Sequence, residues 1–191
     1  MAISQGIGLS LATGVRPFLP PLVVGALARA DAGVDFTGSD FSFLESVPFL
    51  ALMLAFTAFA LAGEERGPRR LFTIVLALGS LALGSLEFGG SLAGEGYSSG
   101  AGLVAGLGVA AIGLAASITF LGRAQARLSA RGDPGSAAPL RLLADGATLV
   151  AAVVAVLLPP VSYLLLGFCL WVLVERRRRA TRKYEGLRVL R

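Results

Sequence analysis

Residues 10–25, Ser10-Leu-Ala-Thr-Gly-Val-Arg16-Pro17-Phe-Leu-Pro20-Pro21-Leu-Val-Val-Gly25, put an arginine and three prolines in the middle of a long apolar run. In a bilayer this combination is unfavourable. An arginine at the centre of a spanning helix costs about 2.5–3.5 kcal/mol, and each internal proline removes a backbone donor and crowds the turn before it. A chain that keeps both at mid-segment has to surround them with protein or with a polar cavity. The expectation is a first helix that stops at Val15 and restarts after Pro21, with Arg16 in the break.

The rest of the chain has the composition of such a surround. Of 191 residues, 55% are hydrophobic and 15% charged, and the mean hydropathy is +0.76. That is too apolar for a soluble α/β domain and ordinary for a polytopic membrane protein. The net charge is +5, but the arginines gather in short loops and a tail. They read as orientation signals and as attraction to anionic head groups rather than as a nucleic-acid surface. There is no histidine and a single cysteine, Cys169. An internal disulfide, the usual metal sites and the Ser/His or Cys/His nucleophile pairs cannot be built, so no metal, no cofactor and no enzymatic activity is expected. Ala28-Arg29-Ala30 imitates a signal-peptidase site, but no basic residue precedes Arg16 and the would-be apolar core holds three prolines, so no cleaved signal is expected.

About 20 apolar residues cross a hydrocarbon core, and six windows of roughly that kind lie between the charge clusters. They run over 2–27, from Ser46-Val47-Pro48 to Ala62, and over 71–86, 101–121, 142–158 and 161–174. Ser46 and Pro48 are a cap and an early proline suited to a helix start. Only Pro159-Pro160 separates the last two windows, so one long tilted helix competes with two spans. Charge decides for two. Arg66, Arg69 and Arg70, then Arg123, Arg127, Arg131 and Arg141, and finally the tail with Arg176–Arg179 all fall on one side if six spans leave both termini in the cytoplasm. Five spans would put the tail on the wrong side. Phe36, Phe41, Phe43, Tyr163 and Trp171 then serve as interface anchors, and residues 130–137 form a turn.

The expected fold class is therefore all-α: a polytopic membrane protein of about six transmembrane helices in one domain (1–175), followed by a basic cytoplasmic tail (176–191). Small residues at four-residue spacing, Gly6/Ser10/Gly14, Gly102/Gly106/Ala110 and Ser80/Gly84, mark helix contacts. An offset of 107 residues lays Gly6, Ser10 and Arg16 on Gly113, Ser117 and Arg123. Taken as a repeat, 1–88 and 100–175 would be two inverted three-helix units, a plan that recurs in secondary transporters.

Arg16 is the leading candidate for chemistry, because a fixed cation beside unpaired backbone groups would hold an anionic solute or head group. Asp145, near the start of the fifth window, either pairs locally with Arg141 four residues before it or reaches Arg16 or Arg123 across the bundle. Thr13, Gly14, Pro17 and Pro20 complete the candidate substrate-binding set, with Arg16, Arg123 and Asp145. Glu87 reads as an interfacial carboxylate ending the third span, on the face opposite Asp145, so the two would not share a catalytic site. The runs Gly6-Ile-Gly8 and Gly106-Leu-Gly108 lie inside spans with no strand before them and are not nucleotide loops.

Gly14-Val-Arg16-Pro-Phe-Leu-Pro20, with a late Pro139-x5-Asp145 segment opening an apolar pair and a basic tail, resembles the bacterial membrane proteins grouped as domain of unknown function 4126. The resemblance implies a small multi-span protein of the bacterial inner membrane and draws attention to Arg16, Pro17 and Pro20. It supplies no substrate. The 63–70 loop is short here and lacks the Asp/Lys-containing amphipathic segment that many members carry. The expected function is a small transporter or channel-like protein for an anionic small molecule or a lipid head group, with membrane lipids and further copies of the chain as partners. The alternative is a membrane scaffold, or a protein that interacts with lipid or a partner, with no transport activity.

Overall fold

The computed structural model describes residues 1–65, 70–130 and 137–185. Every regular element among them is helical: α1 (Ala2–Val15), α2 (Leu19–Arg29), a 3-10 turn (Ser42–Glu45), α3 (Val47–Glu65), α4 (Arg70–Gly94), α5 (Ser99–Ala130), α6 (Ala137–Leu157) and α7 (Val161–Glu185). The turn expected over 130–137, apart from its end residues Ala130 and Ala137, and the loop arginines Arg66, Arg69 and Arg131 fall outside the described residues, as do the side chains of Arg127 and Arg141.

The first apolar run breaks where expected. Arg16 precedes a proline, which disfavours the helical conformation at that residue. It adopts an extended backbone with φ −137° and ψ 113°, its N–H closing the last turn on Ala12 O at 3.0 Å. The restart comes earlier than expected, at Leu19 rather than after Pro21. Pro20 and Pro21 sit in the first turn of α2, where the N–H groups they lack have no intrahelical partner in any case.

The direction of α2 departs from the sequence reading. The two half-helices do not continue one another across the molecule; they fold back as a hairpin. Gln5 in the first turns of α1 donates from Nε2 to Gly33 O, just past α2, at 2.7 Å, and the Met1 amine lies 3.2 Å from Glu95 beyond the end of α4. Both ends of the hairpin therefore lie at one end of the bundle, and Arg16 sits at its turn. At 1.5 Å per residue, the 14 residues of α1 carry Arg16 about 20 Å inward from that end.

Helices α3 to α7 alternate in direction, so α7 finishes at the end opposite Met1. Expecting both termini on one side depended on reading 2–27 as a single crossing, and the hairpin removes that premise. Two described helices, residues 70–94 and 99–123, are long and apolar enough to cross a membrane, fewer than the six expected. The difference has local causes: the first window is split, the apolar parts of α3 and α6 are shorter, and the apolar part of α7 runs into arginines. α7 continues as helix to Glu185, so the basic segment begins as an extension of the last apolar helix.

Small residues set the packing of α1, α4 and α5. A Cβ on Gly113 would stand 2.5 Å from Leu11 O and 3.3 Å from Gly14 Cα, and one on Gly106 would stand 2.9 Å from Gly84 O. Backbones this close admit no side chain, which is how small-residue stripes join apolar helices. Hydroxyls fasten the same contacts, Ser10 Oγ to Gly106 O at 2.7 Å, Ser85 Oγ to Leu103 O at 2.8 Å and Ser91 Oγ to Ala2 O at 3.1 Å. The 107-residue offset does not carry through to its arginines. α1 stops before Arg16, whereas α5 runs on through Arg123.

At the Met1 end, the connection from α2 to α3 folds over the hairpin. Phe36 and Phe41 are buried there with Leu9, Val24 and Val156, so they plug the core rather than anchor an interface; Phe43 is exposed.

Candidate functional site

The turn of the hairpin brings together residues from four elements. Arg16 Nε lies 2.6 Å from Asp145 Oδ1 on α6, with both side chains 15% exposed. Of the three partners considered for Asp145, Arg16 is the one seen across the bundle. Arg123 is exposed on α5 and has no part in that pair. A cleft of about 30 Å³ beside the pair is lined by Pro17, Phe18, Thr57 and Ala60 of α3, and Leu76 of α4. It has room for about one water molecule. Phe18 stacks on Phe56 at 5.2 Å between centroids, which fixes the turn against α3, and Thr57 turns its hydroxyl onto Met53 O at 2.8 Å.

The other predicted residues build this turn rather than line a pocket. A Cβ on Gly14 would stand 2.4 Å from Ala110 O of α5, Pro20 is fully buried in the first turn of α2, and Thr13 is fully buried on α1. Thr13 donates its hydroxyl to Glu87 Oε2. Glu87 is 1% exposed in the interior of α4, which corrects the interfacial reading of it. The apolar run ends in sequence at Leu86, but the helix continues through Phe88-Gly-Gly-Ser91, whose glycines let it press on α5 and on Phe36. That glycine-rich continuation is the signal by which the burial of Glu87 could have been anticipated. Among the described residues its Oε1 has no hydrogen-bond partner.

Among the described residues the interior holds the matched pair Arg16–Asp145 and the carboxyl of Glu87, which shares the Thr13 hydroxyl. A buried ion pair contributes little net stability, but removing one member leaves an uncompensated charge, a loss of about 3–5 kcal/mol. The pair therefore locks the hairpin turn to α6. No cluster of metal-ligating side chains occurs among the described residues.

Compared with protein-family profiles, curated proteins and solved structures, the chain matches none of them.

Proposed function

We propose that the chain is a multi-pass protein of the cytoplasmic membrane, with α3–α7 crossing it and α1–α2 entering as a re-entrant hairpin, and that Arg16 is an anion site gated by Asp145. The membrane part of this reading is supported by the outward faces. Leu54 and Phe59 on α3, Leu71 and Leu78 on α4, Val104 and Phe120 on α5, Leu142 and Val150 on α6, and Leu164 and Trp171 on α7 are all large, apolar and exposed. The buried polar side chains include Gln5, Ser10, Thr13, Ser80 and Glu87. A water-soluble monomer rarely exposes so much contiguous apolar surface. With Arg70, Arg123 and Arg176–Arg179 all at the end remote from Met1, the positive-inside tendency puts that end in the cytoplasm. The same residues, Gly14, Arg16, Pro17 and Pro20, carry the proposed kinship with domain of unknown function 4126.

The observation that carries the functional part is the Arg16–Asp145 pair at a non-helical turn deep in the bundle. Irregular backbone at membrane depth occurs where protein buries it or where it lines a cavity, and intramembrane charges tend to mark pathways. In this reading the carboxylate of Asp145 holds the place of an anion, and its withdrawal opens the small cleft to solute. The proposed activity is channel-like or carrier transport of a small anion or a lipid head group. Liposome flux across a panel of anions, with phospholipid flip-flop in parallel, tests it. Asp145→Asn should raise flux of one species and Arg16→Gln should abolish it. No flux in wild type and both variants, at normal protein incorporation, would leave a scaffold.

A further inference from the structure

A second space lies between α1, α5, α6 and α7. α6 packs on both legs of the hairpin but makes little contact with α5 or α7, although only Leu158, Pro159 and Pro160 join it to α7. The helices splay from that tight turn and leave a groove of about 570 Å³, walled by Leu11 and Val15, Phe120, Leu143, Leu165 and Phe168. The hydroxyl of Thr148 in the wall is turned back onto Ala144 O and Asp145 O, at 3.1 and 2.8 Å. Such a lining offers almost nothing to a hydrated solute and suits a hydrocarbon chain.

The mouth has the opposite character. On α7 the groove ends at Val172, and one turn further on Arg176 is exposed, its Nη1 3.0 Å from Thr119 Oγ1 of α5. On α5 it ends at Leu121, two residues before the exposed Arg123. Guanidinium groups match phosphate oxygens in charge and geometry. The groove is about 10 Å long from Leu165 to Val172 at helical rise, enough for the head-group-proximal part of an acyl chain.

We propose that this groove seats one acyl chain of an anionic phospholipid, whose phosphate lies against Arg123 and Arg176. The assignment rests on the membrane reading above, but not on transport at Arg16. The test is native mass spectrometry of the full chain released from nanodiscs of mixed phosphatidylglycerol and phosphatidylcholine. The expected result is one retained phosphatidylglycerol per chain, preferred about tenfold or more, the share of two surface arginines. Ala147→Trp, at an exposed groove-lining position on α6, should lose both lipids. Arg123→Gln with Arg176→Gln should lose the preference and keep the occupancy. Equal retention of the two lipids by wild type would overturn the proposal, as would retention by Ala147→Trp. So would a lipid-free dimer that cross-links through Cys169, which also lines the groove. A chain that never enters the membrane fraction would overturn the membrane reading with it, whereas an embedded chain without bound phosphatidylglycerol overturns only the groove assignment.

Discussion

Removing either member of the Arg16–Asp145 pair should destabilise the protein far more than removing both. With Nε and Oδ1 at 2.6 Å and both side chains 15% exposed, each charge is mostly out of solvent and screened mainly by the other. Arg16→Gln leaves the carboxylate facing a neutral amide, and Asp145→Asn does the same to the guanidinium. A fully buried pair would lose about 3–5 kcal/mol on either change, and the residual exposure points to the lower part of that range. About 3 kcal/mol is roughly a hundredfold in the ratio of folded to unfolded protein. The double variant Arg16→Gln/Asp145→Asn removes both desolvated charges and should recover most of the loss; a remaining deficit of about 1 kcal/mol against two single losses of about 3 kcal/mol is a coupling energy of about 5 kcal/mol. Reversible unfolding of the reconstituted protein by a graded detergent series measures all four corners of the cycle. Additive single losses, to within about 0.5 kcal/mol, would show that the two groups do not support one another and would refute the lock at the hairpin turn.

The hairpin predicts that an N-terminal tag and a cysteine at Tyr97 react with an impermeant reagent from the same side of sealed vesicles, in a Cys169→Ser background, and that a tag at the C-terminus reacts from the other; one shared side for both tags would refute it. Gly113→Val should separate α1 from α5, since even a Cβ there meets Leu11 O at 2.5 Å; overpacking of this kind costs about 1–3 kcal/mol, read as a lower midpoint in the same detergent series. Glu87→Gln should keep the bond from Thr13 and fold normally, while Glu87→Leu leaves the Thr13 hydroxyl buried without an acceptor and should lower the midpoint. Outside the apolar helices, the Asp35 carboxyl is held below its ordinary value, first by the Thr37 side chain and then by the Thr37 backbone. A lowered value in the fold means that its contribution is present above the ordinary aspartate range and is lost as pH falls through the lowered value. The protection of the Thr37 amide relative to its intrinsic exchange rate should therefore fall on acidification, and in Asp35→Asn that acid-dependent step should vanish.

The local chemistry of the first thirty residues was legible. A residue before proline leaves the helix, and first-turn prolines open the next one, so the break at Arg16 follows from single positions. The reversal that follows it was not, because an apolar run of 26 residues has the same hydropathy whether it continues or doubles back. That ambiguity propagated to the sidedness of the N-terminus and to the span count. The stripes of Gly6, Ser10 and Gly14 and of Gly102 and Gly106 were legible as contacts, since only small side chains fit there. Which carboxylate lies inside was not. Asp145 could be matched to Arg16 by charge alone, whereas the burial of Glu87 depends on glycines that let α4 stay helical and packed beyond its apolar stretch.

The hairpin also constrains the order in which the molecule is assembled. α1 leaves the ribosome before the helices it packs against, yet the groups that hold its turn come from Phe56 and Asp145, and those that hold its stem come from Glu87 and Gly106. None of these partners exists when Arg16 is synthesised, and contacts this distant in sequence form slowly. The hairpin therefore waits for helices made after it, so a ribosome-bound chain halted before α6 should carry an unlocked hairpin turn.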